Sequence, residues 1–331
     1  MSQTAHTELL EKLLPTLTAV DATTEWHIRG PAVRARKCDI YKVTNTTRTL
    51  ALKVYKPVVA SDIAPSLQHR ALVRCNQAVN HQPLLRAPTA LAFLPDEGAI
   101  LMDWQSAPTL RSVLWKKFTT PYQRLELVTA AAKWLRAFHE LSDIVSAPTN
   151  GGKLTAKLNT QMTRLPGAPA LLEQDPAFHK VLNRFFDAAT DILDNAPHAL
   201  LHGDYTPTNL LVDDAGIIGM DMWGARRGPV YEDIARMLAY LGIVSPFALW
   251  REPLNPDSAL IQAFARGYGD DLFDLRSAQL PMVLLYQQLR RWLVYAGKNN
   301  RQPFSPLVKW QLTRNRSLCR QTLTWLDHCK P

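Results

Sequence analysis

Polar residues at a characteristic spacing mark the second half of the chain. His202, Gly203 and Asp204 are followed by Asn209, and Asp221 comes twelve residues after that asparagine. In phosphoryl transfer an aspartate accepts the proton of the attacking hydroxyl, while an asparagine and a second aspartate bind the metal ion that neutralises the phosphates. Each residue alone is also compatible with a turn or a strand cap. Their joint spacing favours a site that holds a hydroxyl, a metal ion and a triphosphate.

The segment between Asn209 and Asp221 is typical of a β-hairpin. Two short apolar runs, 210–212 and 217–220, flank a turn at 213–216 that is rich in Asp and Gly. Pairing of the two runs without a bulge would place Asp221 beside Asn209 at the open end. Mg²⁺ prefers a few such oxygen ligands, completed by phosphate and water. The hairpin therefore predicts Asn209 and Asp221 as metal ligands.

A strand is predicted over residues 49–55, where apolar residues alternate with Ala51 and Lys53. An Ala-x-Lys pair on one strand face suits a nucleotide, because the alanine leaves room for adenine and the lysine reaches the phosphates. This predicts a face that is partly open to the nucleotide. Taken alone, the pattern fits a surface lysine on an edge strand equally well.

A second apolar strand covers residues 99–104 and runs into a linker-like segment at 105–108. Kinases hydrogen-bond adenine with backbone groups where such a strand enters the linker between two lobes. The expected adenine-binding residues are therefore Met102, Asp103 and Trp104.

The chain resembles the aminoglycoside phosphotransferase and choline kinase superfamily over residues 25–240. The segments that carry the resemblance are 51–53, 101–104, 132–139, 202–209 and 219–223. The resemblance implies an α+β, protein-kinase-like fold with two lobes. A small β-rich N-lobe would comprise residues 1–104, and a larger helical C-lobe residues 105–331.

The same resemblance implies the role of each matching residue. Asp204 would be the catalytic base, Asn209 and Asp221 would bind Mg²⁺, and Lys53 would contact the phosphates of ATP. Asp233 would be structural and hold the catalytic loop. We expect His202 to pack and hydrogen-bond within that loop. The acceptor would be a small molecule with a hydroxyl group (a sugar, amino alcohol, envelope saccharide or antibiotic), held between residues 142–198 and the helices after residue 240.

Two departures from the family pattern leave an alternative open. No glycine-rich motif precedes Lys53, and Gln68 stands where a glutamate is expected to pair with that lysine. A neutral glutamine would hydrogen-bond Lys53 without charge assistance. A nucleotide-binding pseudokinase with a regulatory or scaffolding role is therefore the alternative to an enzyme. The chain also lacks the Asp-Phe-Gly and Ala-Pro-Glu motifs, which argues against peptide substrates.

Composition adds expectations about location and partners. The 331 residues carry a net charge of +9 and a pI near 9.4, without any nucleic-acid-binding motif, so no nucleic acid partner is expected. The surplus of Arg and Lys favours a neutral or anionic acceptor over a polycation. No apolar run is long enough to span a membrane, and four scattered cysteines fit reduced thiols in a cytoplasmic protein. No feature of the sequence predicts an oligomeric state.

Overall fold

The computed structural model describes residues 3–22, 25–35, 37–56, 65–148, 151–164, 175–193, 195–222, 226–269, 271–302 and 305–329. The chain forms two compact units. The first comprises Met1–Ala107 and Ile218–Ala225, and the second comprises Pro108–Ile217 and Arg226–Pro331.

Among its described residues, the first unit contains one antiparallel sheet and two helices. Its elements before residue 108 are α1 (Gln3–Val20), β1 (His27–Arg34), β2 (Cys38–Thr44), β3 (Thr49–Tyr55), α2 (Pro65–Ala78), β4 (Ala90–Leu94) and β5 (Ala99–Asp103). The five strands are ordered β1-β2-β3-β5-β4. Strand β3, which carries Lys53, is therefore central, and Lys53 pairs in register with Ile40 on β2 and Ile100 on β5.

Helix α1 covers one face of this sheet. Leu9, Leu13 and Leu17 recur every four residues and pack in one buried cluster with Leu50 and Leu52 of β3. The predicted strand at 49–55 is confirmed, and its even-numbered leucines lie in this core.

Gln68 lies on the buried face of helix α2, whose buried residues recur at helical spacing. Its buried residues include Gln68, Ala71, Leu72 and Cys75, which form one face of a helix because they are spaced by three and four positions. Cys75 Sγ lies 3.5 Å from Met222 Sδ, within the first unit. Gln68 is thus positioned by a packed helix face and not by a loop.

The second unit is mostly helical. Its elements are α3 (Leu110–Leu114), α4 (Pro121–His139), β6 (Val145–Ala147), α5 (Gly151–Arg164), α6 (Pro176–Ile192), β7 (Ala196–Leu200), β8 (Leu210–Asp213), β9 (Gly216–Gly219, which extends into the first unit), β10 (Arg227–Pro229), α7 (Tyr231–Val244), α8 (Pro246–Leu249), α9 (Ala259–Tyr268), α10 (Gln279–Arg301) and α11 (Pro306–His328). The α+β class that the sequence predicts is confirmed.

Helix α4 anchors the second unit. Thr120 and Gln123 form a reciprocal capping box at its start, which satisfies backbone donors that have no partner inside the helix. Helix α9 packs so closely on α4 that a Cβ atom at Gly267 would lie 2.2 Å from the carbonyl oxygen of Thr129. Such an approach requires glycine.

Two small sheets frame the predicted catalytic segment. Strands β6, β7 and β10 form an antiparallel sheet with β7 in the middle, and β7 ends directly before residues 201–204. Strands β8 and β9 form the two-stranded sheet that the sequence predicts after Asn209. No helix in the described ranges is both long and apolar enough to cross a bilayer. Cys38, Cys75, Cys319 and Cys329 are free thiols.

Candidate functional site

Asp233, near the start of α7, organises the loop that contains Asp204. Its Oδ2 accepts a hydrogen bond from the backbone N–H of His202 at 2.6 Å, and its Oδ1 accepts one from Gly203 at 2.9 Å. His139 Nε2 lies 3.3 Å from Oδ2. Burial acts to raise the pKa of Asp233, but the hydrogen bond and charge of His139 outweigh it and hold that pKa below the usual 3.8. The predicted structural role of Asp233 is confirmed by these contacts.

His202 and Gly203 shape the same loop in different ways. The His202 ring is fully buried and packs against the rings of Trp134, Phe138 and Tyr205, as its predicted packing role requires. Gly203 has φ of +80°, a left-handed conformation that glycine adopts without steric cost. The backbone therefore turns at Gly203 and presents the next residue, Asp204, away from the aromatic core.

Asp204 forms a group with Asn209 and Arg236, which we call the Asp204 cluster. Arg236 Nη1 donates to Asp204 Oδ1 at 2.8 Å. Asn209 Nδ2 donates to Asp204 Oδ2 at 3.0 Å and to the Asp204 carbonyl oxygen at 2.9 Å. The Asp204 side chain remains 44% exposed. The structure thus brings together the predicted base and one predicted metal ligand.

Arg236 is a site residue that the sequence reasoning missed. It lies three positions after Asp233 on α7, and residues at that spacing share a helix face. The helix that holds the loop through Asp233 therefore also holds the Asp204 carboxylate through Arg236. The spacing of Asp233 and Arg236 could have predicted this contact. In a helix that begins at Tyr231 and contacts the loop through Asp233, Arg236 lies on the side that faces the loop.

The first unit contains a second group, the Lys53 cluster, made of Lys53, Gln68 and Asp221. Lys53 Nζ lies 2.6 Å from Asp221 Oδ1 and donates to Gln68 Oε1 at 3.1 Å. Gln68 Nε2 in turn donates to Asp221 Oδ1 at 3.3 Å. The expected hydrogen bond between Gln68 and Lys53 is confirmed, and the glutamine bridges the cation and the carboxylate.

The prediction that the strand face of Lys53 is partly open is wrong. The Lys53 side chain is 0% exposed, while Asp221 is 34% exposed. Burial alone would lower the pKa of Lys53, but the negative charge of Asp221 raises it above the usual 10.5. Strand alternation does not reveal this burial, because residues on both faces of β3 are buried in the fold.

Asp221 has an unusual backbone conformation. Its φ is +53°, in the left-handed region that asparagine and aspartate tolerate better than other side chains do. Contacts hold the chain before and after Asp221. Gly219 N donates to Arg86 O at 2.9 Å, and Met222 contacts Cys75. The carboxylate is thereby directed at Lys53.

The remaining predicted nucleotide-binding residues lie on β3 and at the end of β5. Ala51 pairs in register with Met102, and both are buried. Asp103 N donates to Thr89 O at 3.1 Å, and Lys42 Nζ lies 4.5 Å from the centroid of the Trp104 ring. Their contacts with adenine stay a prediction, as does the proximity of Asp221 to Asn209.

A small cavity of about 150 Å³ opens beside Asp204 in the second unit. Among the described residues, its lining comprises Gln161, Asp204, Thr206, Arg236, Gln287, Arg290, Arg291 and Val294. A hydroxyl group that entered this space would reach the exposed carboxylate of Asp204. The carboxylate has further acceptor positions even with Arg236 and Asn209 bound, because two oxygens offer about four lone pairs.

A protein-family model matches most of the chain. The model of the family described as "Phosphotransferase enzyme family" matches residues 38–280. No curated protein matches the chain.

Several solved structures share the fold at low sequence identity. A putative aminoglycoside phosphotransferase from Ralstonia eutropha is 14% identical with a TM-score of 0.59, and the match covers 96% of this chain and 99% of that one. Choline kinase LicA from Streptococcus pneumoniae is 12% identical with a TM-score of 0.57, over 95% and 99%. An amicoumacin kinase in complex with AMP-PNP, Ca²⁺ and Ami is 13% identical with a TM-score of 0.56, over 95% of both chains. The predicted protein-kinase-like fold is confirmed by these likenesses.

Proposed function

Since the chain belongs to the phosphotransferase enzyme family, we propose that it transfers the γ-phosphoryl group of ATP to a hydroxyl of a small molecule. The observation that carries this proposal is the Asp204 carboxylate. It is partly exposed beside a cavity, on a loop that Asp233 clamps through two backbone N–H groups. A general base requires such a fixed and accessible acceptor.

In the proposed reaction Asp204 removes the proton of the acceptor hydroxyl as its oxygen attacks the γ-phosphorus. The bond between the γ-phosphorus and the bridging oxygen breaks, and ADP leaves. Arg236 and Asn209 each hold one oxygen of Asp204, which restricts rotation of the carboxylate. Positioning of this kind is a main source of catalysis in phosphoryl transfer.

Asn209 and Asp221 are the residues that would hold Mg²⁺. An amide oxygen and a carboxylate oxygen are the hard donors that this ion prefers, so the side chains fit. Bound there, the ion would neutralise phosphate charge. Lys53, whose ammonium is held by Asp221 and Gln68, would contact the α- and β-phosphates. ATP as the phosphoryl donor and Mg²⁺ as the metal ion are parts of this proposal. The cytoplasmic location and the absence of a nucleic acid partner stay predictions.

A second candidate function is a nucleotide-binding pseudokinase. One specific observation favours it: Lys53 contacts a neutral Gln68 where the kinase pattern has a glutamate. Such a protein would bind nucleotide without forming ADP in the presence of any acceptor.

Measurement of ADP release with a panel of hydroxyl compounds tests the proposal. We expect acceptor-dependent ADP release from the wild-type chain. Asp204→Asn keeps the shape of the side chain but removes the proton acceptor, so kcat should fall by roughly 10²- to 10⁴-fold with nucleotide affinity preserved. Asp214→Asn is the matched control, because it makes the same change at an exposed turn position and should leave kcat unchanged.

Two outcomes would count against an enzyme. Wild-type turnover in Asp204→Asn would show that Asp204 is not the general base. Nucleotide binding by calorimetry without ADP release from any acceptor would favour the pseudokinase.

A further inference from the structure

We propose that the acceptor is an anionic alcohol, a small hydroxyl compound that carries a phosphate or carboxylate group. This inference rests on the proposed function and specifies its substrate class. The anionic group would bind in a cationic cavity of the second unit, while the hydroxyl reaches Asp204.

The cavity has a volume of about 760 Å³, within the usual range for small-molecule sites. It is lined by residues of α5, α7 and α10 together with Arg226. Among the described residues the lining comprises Lys153, Ala156, Lys157, Thr160, Gln161, Arg164, Arg226, Glu232, Arg236, Tyr286 and Arg290. Six of these side chains are cationic, and Glu232 is the one carboxylate among them.

Helix α5 contributes three of the cations from one face. Lys153, Lys157 and Arg164 are separated by four and seven positions, and Thr160 and Gln161 lie on the same face. The opposite face, with Leu154 and Leu158, is buried. The amphipathic pattern that packs the helix therefore also directs a row of positive and hydrogen-bonding groups into the cavity.

Two of the six cations form ion pairs with carboxylates of the second unit. Arg226 forms an ion pair with Glu232, and Arg236 with Asp204. Arg290 has neutral partners instead: its Nε donates to Gln161 Oε1 at 3.0 Å, and its guanidinium lies 5.5 Å from the centroid of the Tyr286 ring. Among the described residues that line the two cavities, Glu232 and Asp204 are the only carboxylates, so the lining as a whole carries a surplus of positive charge.

Burial affects the ionisation of two cavity residues. Partial burial lowers the pKa of Lys157; Glu232 acts to raise that pKa, and the cationic neighbours Arg226, Arg290 and Lys153 act to lower it. Burial likewise lowers the pKa of Arg290. A bound anion would act in the opposite direction and favour both charges. A polycationic or quaternary ammonium acceptor would instead meet like charges, which costs binding energy.

The cavity adjoins the space beside Asp204, with which it shares wall residues. Gln161, Arg236 and Arg290 line both the 760 Å³ cavity and the 150 Å³ space beside Asp204. One ligand can therefore place an anionic group among the cations and a hydroxyl at Asp204. The planar guanidinium of arginine binds phosphate and carboxylate with two parallel hydrogen bonds, which also orients the ligand.

Acceptor kinetics with chemically matched sugars test this proposal. The probes are glucose, glucose 6-phosphate, gluconate and glucosamine, and the same four forms of other sugar skeletons. With Mg-ATP and the full chain, we expect the best acceptor of any skeleton to be an anionic form, with a KM at least tenfold below that of its neutral or amino form. Added NaCl should raise the KM of the anionic form, because salt screens the attraction.

Variants connect this preference to the cavity. Lys157→Ala removes one cation from the cavity lining and should raise the KM of the anionic acceptor by about tenfold, with kcat within twofold. Lys133→Ala is the matched control, since Lys133 is an exposed lysine on α4 outside the cavity lining. Calorimetry with the best anionic acceptor should show the same loss of affinity in Lys157→Ala without turnover, and melting temperatures establish that both variants fold.

The outcomes separate this inference from the proposed function. A neutral or amino acceptor preferred over every anionic form, with turnover still dependent on Asp204, would overturn the anionic acceptor alone. Equal effects of Lys157→Ala and Lys133→Ala would overturn the cavity assignment. Turnover that does not depend on Asp204, or no ADP from any acceptor, would overturn the proposed function and this inference with it.

Discussion

The Lys53 cluster and the Asp204 cluster have the same chemical composition and opposite surroundings. Each combines one cation, one aspartate and one side-chain amide: Lys53 with Asp221 and Gln68, and Arg236 with Asp204 and Asn209. Lys53 is completely buried, whereas Asp204 is the most exposed of the four charged residues. A buried charge requires its partner for folding, while an exposed pair contributes little to stability. The first cluster therefore constrains the fold, and the second leaves its carboxylate available for chemistry.

The sharpest test of this difference compares the same substitution in both clusters. Asp221→Asn leaves the ammonium of Lys53 buried without a carboxylate, and asparagine tolerates the left-handed backbone at this position. We expect the free energy of unfolding to fall by about 3–4 kcal/mol, the range for a broken buried pair. Asp204→Asn should cost about 1 kcal/mol or less. Urea unfolding of both variants measures the contrast, and equal losses would contradict it.

Asp233→Asn should show the next largest effect. The variant weakens the hydrogen bonds from the backbone N–H groups of His202 and Gly203, so we expect a loss of about 2–3 kcal/mol at neutral pH. The folded-state pKa of Asp233 lies below 3.8, so its contribution is full above that value and is lost as the pH falls through the folded-state pKa. The stability difference from the wild type should therefore shrink below about pH 4. Asp187→Asn, at an exposed position on α6, is the control and should show little difference at any pH.

Gln68→Glu examines why the Lys53 cluster contains an amide. Gln68 Nε2 donates to Asp221 Oδ1, and a carboxylate at this position would instead repel Asp221. We expect a loss of about 1–2 kcal/mol at pH 7. Burial and the like charge of Asp221 act to raise the pKa of the introduced carboxyl above its unfolded value of about 4.3, and they outweigh the ammonium of Lys53 because Asp221 already neutralises it. The loss should therefore diminish as the pH falls towards 5. Gln77→Glu on the exposed face of α2 is the control. A gain in stability would show that Gln68 replaces a glutamate without structural reason.

Arg236→Gln should have the smallest effect on stability. Its partner Asp204 is largely solvated, so we expect a change within about 1 kcal/mol. If Arg236 positions the base, kcat should fall by about tenfold while KM for ATP is unchanged. Arg236→Lys should restore part of kcat, because a lysine retains the charge without the guanidinium geometry. A large loss of stability would show that this cluster is also structural.

The resemblance to the family predicted two contacts that the structure shows. The helical face of α2 places Gln68 at Lys53 as expected, and Asp233 holds the loop at His202 and Gly203. The ion pair between Asp204 and Arg236 was not predicted, because the two residues meet only through the packing of α7 and the resemblance to the family assigned no role to Arg236. The complete burial of Lys53 was missed because alternation along a strand indicates its two faces but not what covers them.

The distribution of charge over the structure could not be predicted from the sequence either. A net charge of +9 is compatible with a uniformly solvated basic surface. The cationic cavity depends on α5, α7 and α10 bringing Lys157, Arg236 and Arg290 to one place, which no local pattern specifies. The acceptor region expected from the sequence, residues 142–198 and the helices after 240, contributes part of this lining, and Arg226, Glu232 and Arg236 lie outside it.

The left-handed backbone at Asp221 has a consequence for selection experiments. In a library of all substitutions at this position, conformation and charge impose separate filters. Selection for folded protein should retain Asn and Gly above the other replacements, because these two accept the backbone. Selection for growth that depends on the enzyme should retain Asp alone. The ratio of the two enrichments at residue 221 would then separate, within a single experiment, what folding requires of this residue, in backbone and charge together, from what the reaction requires.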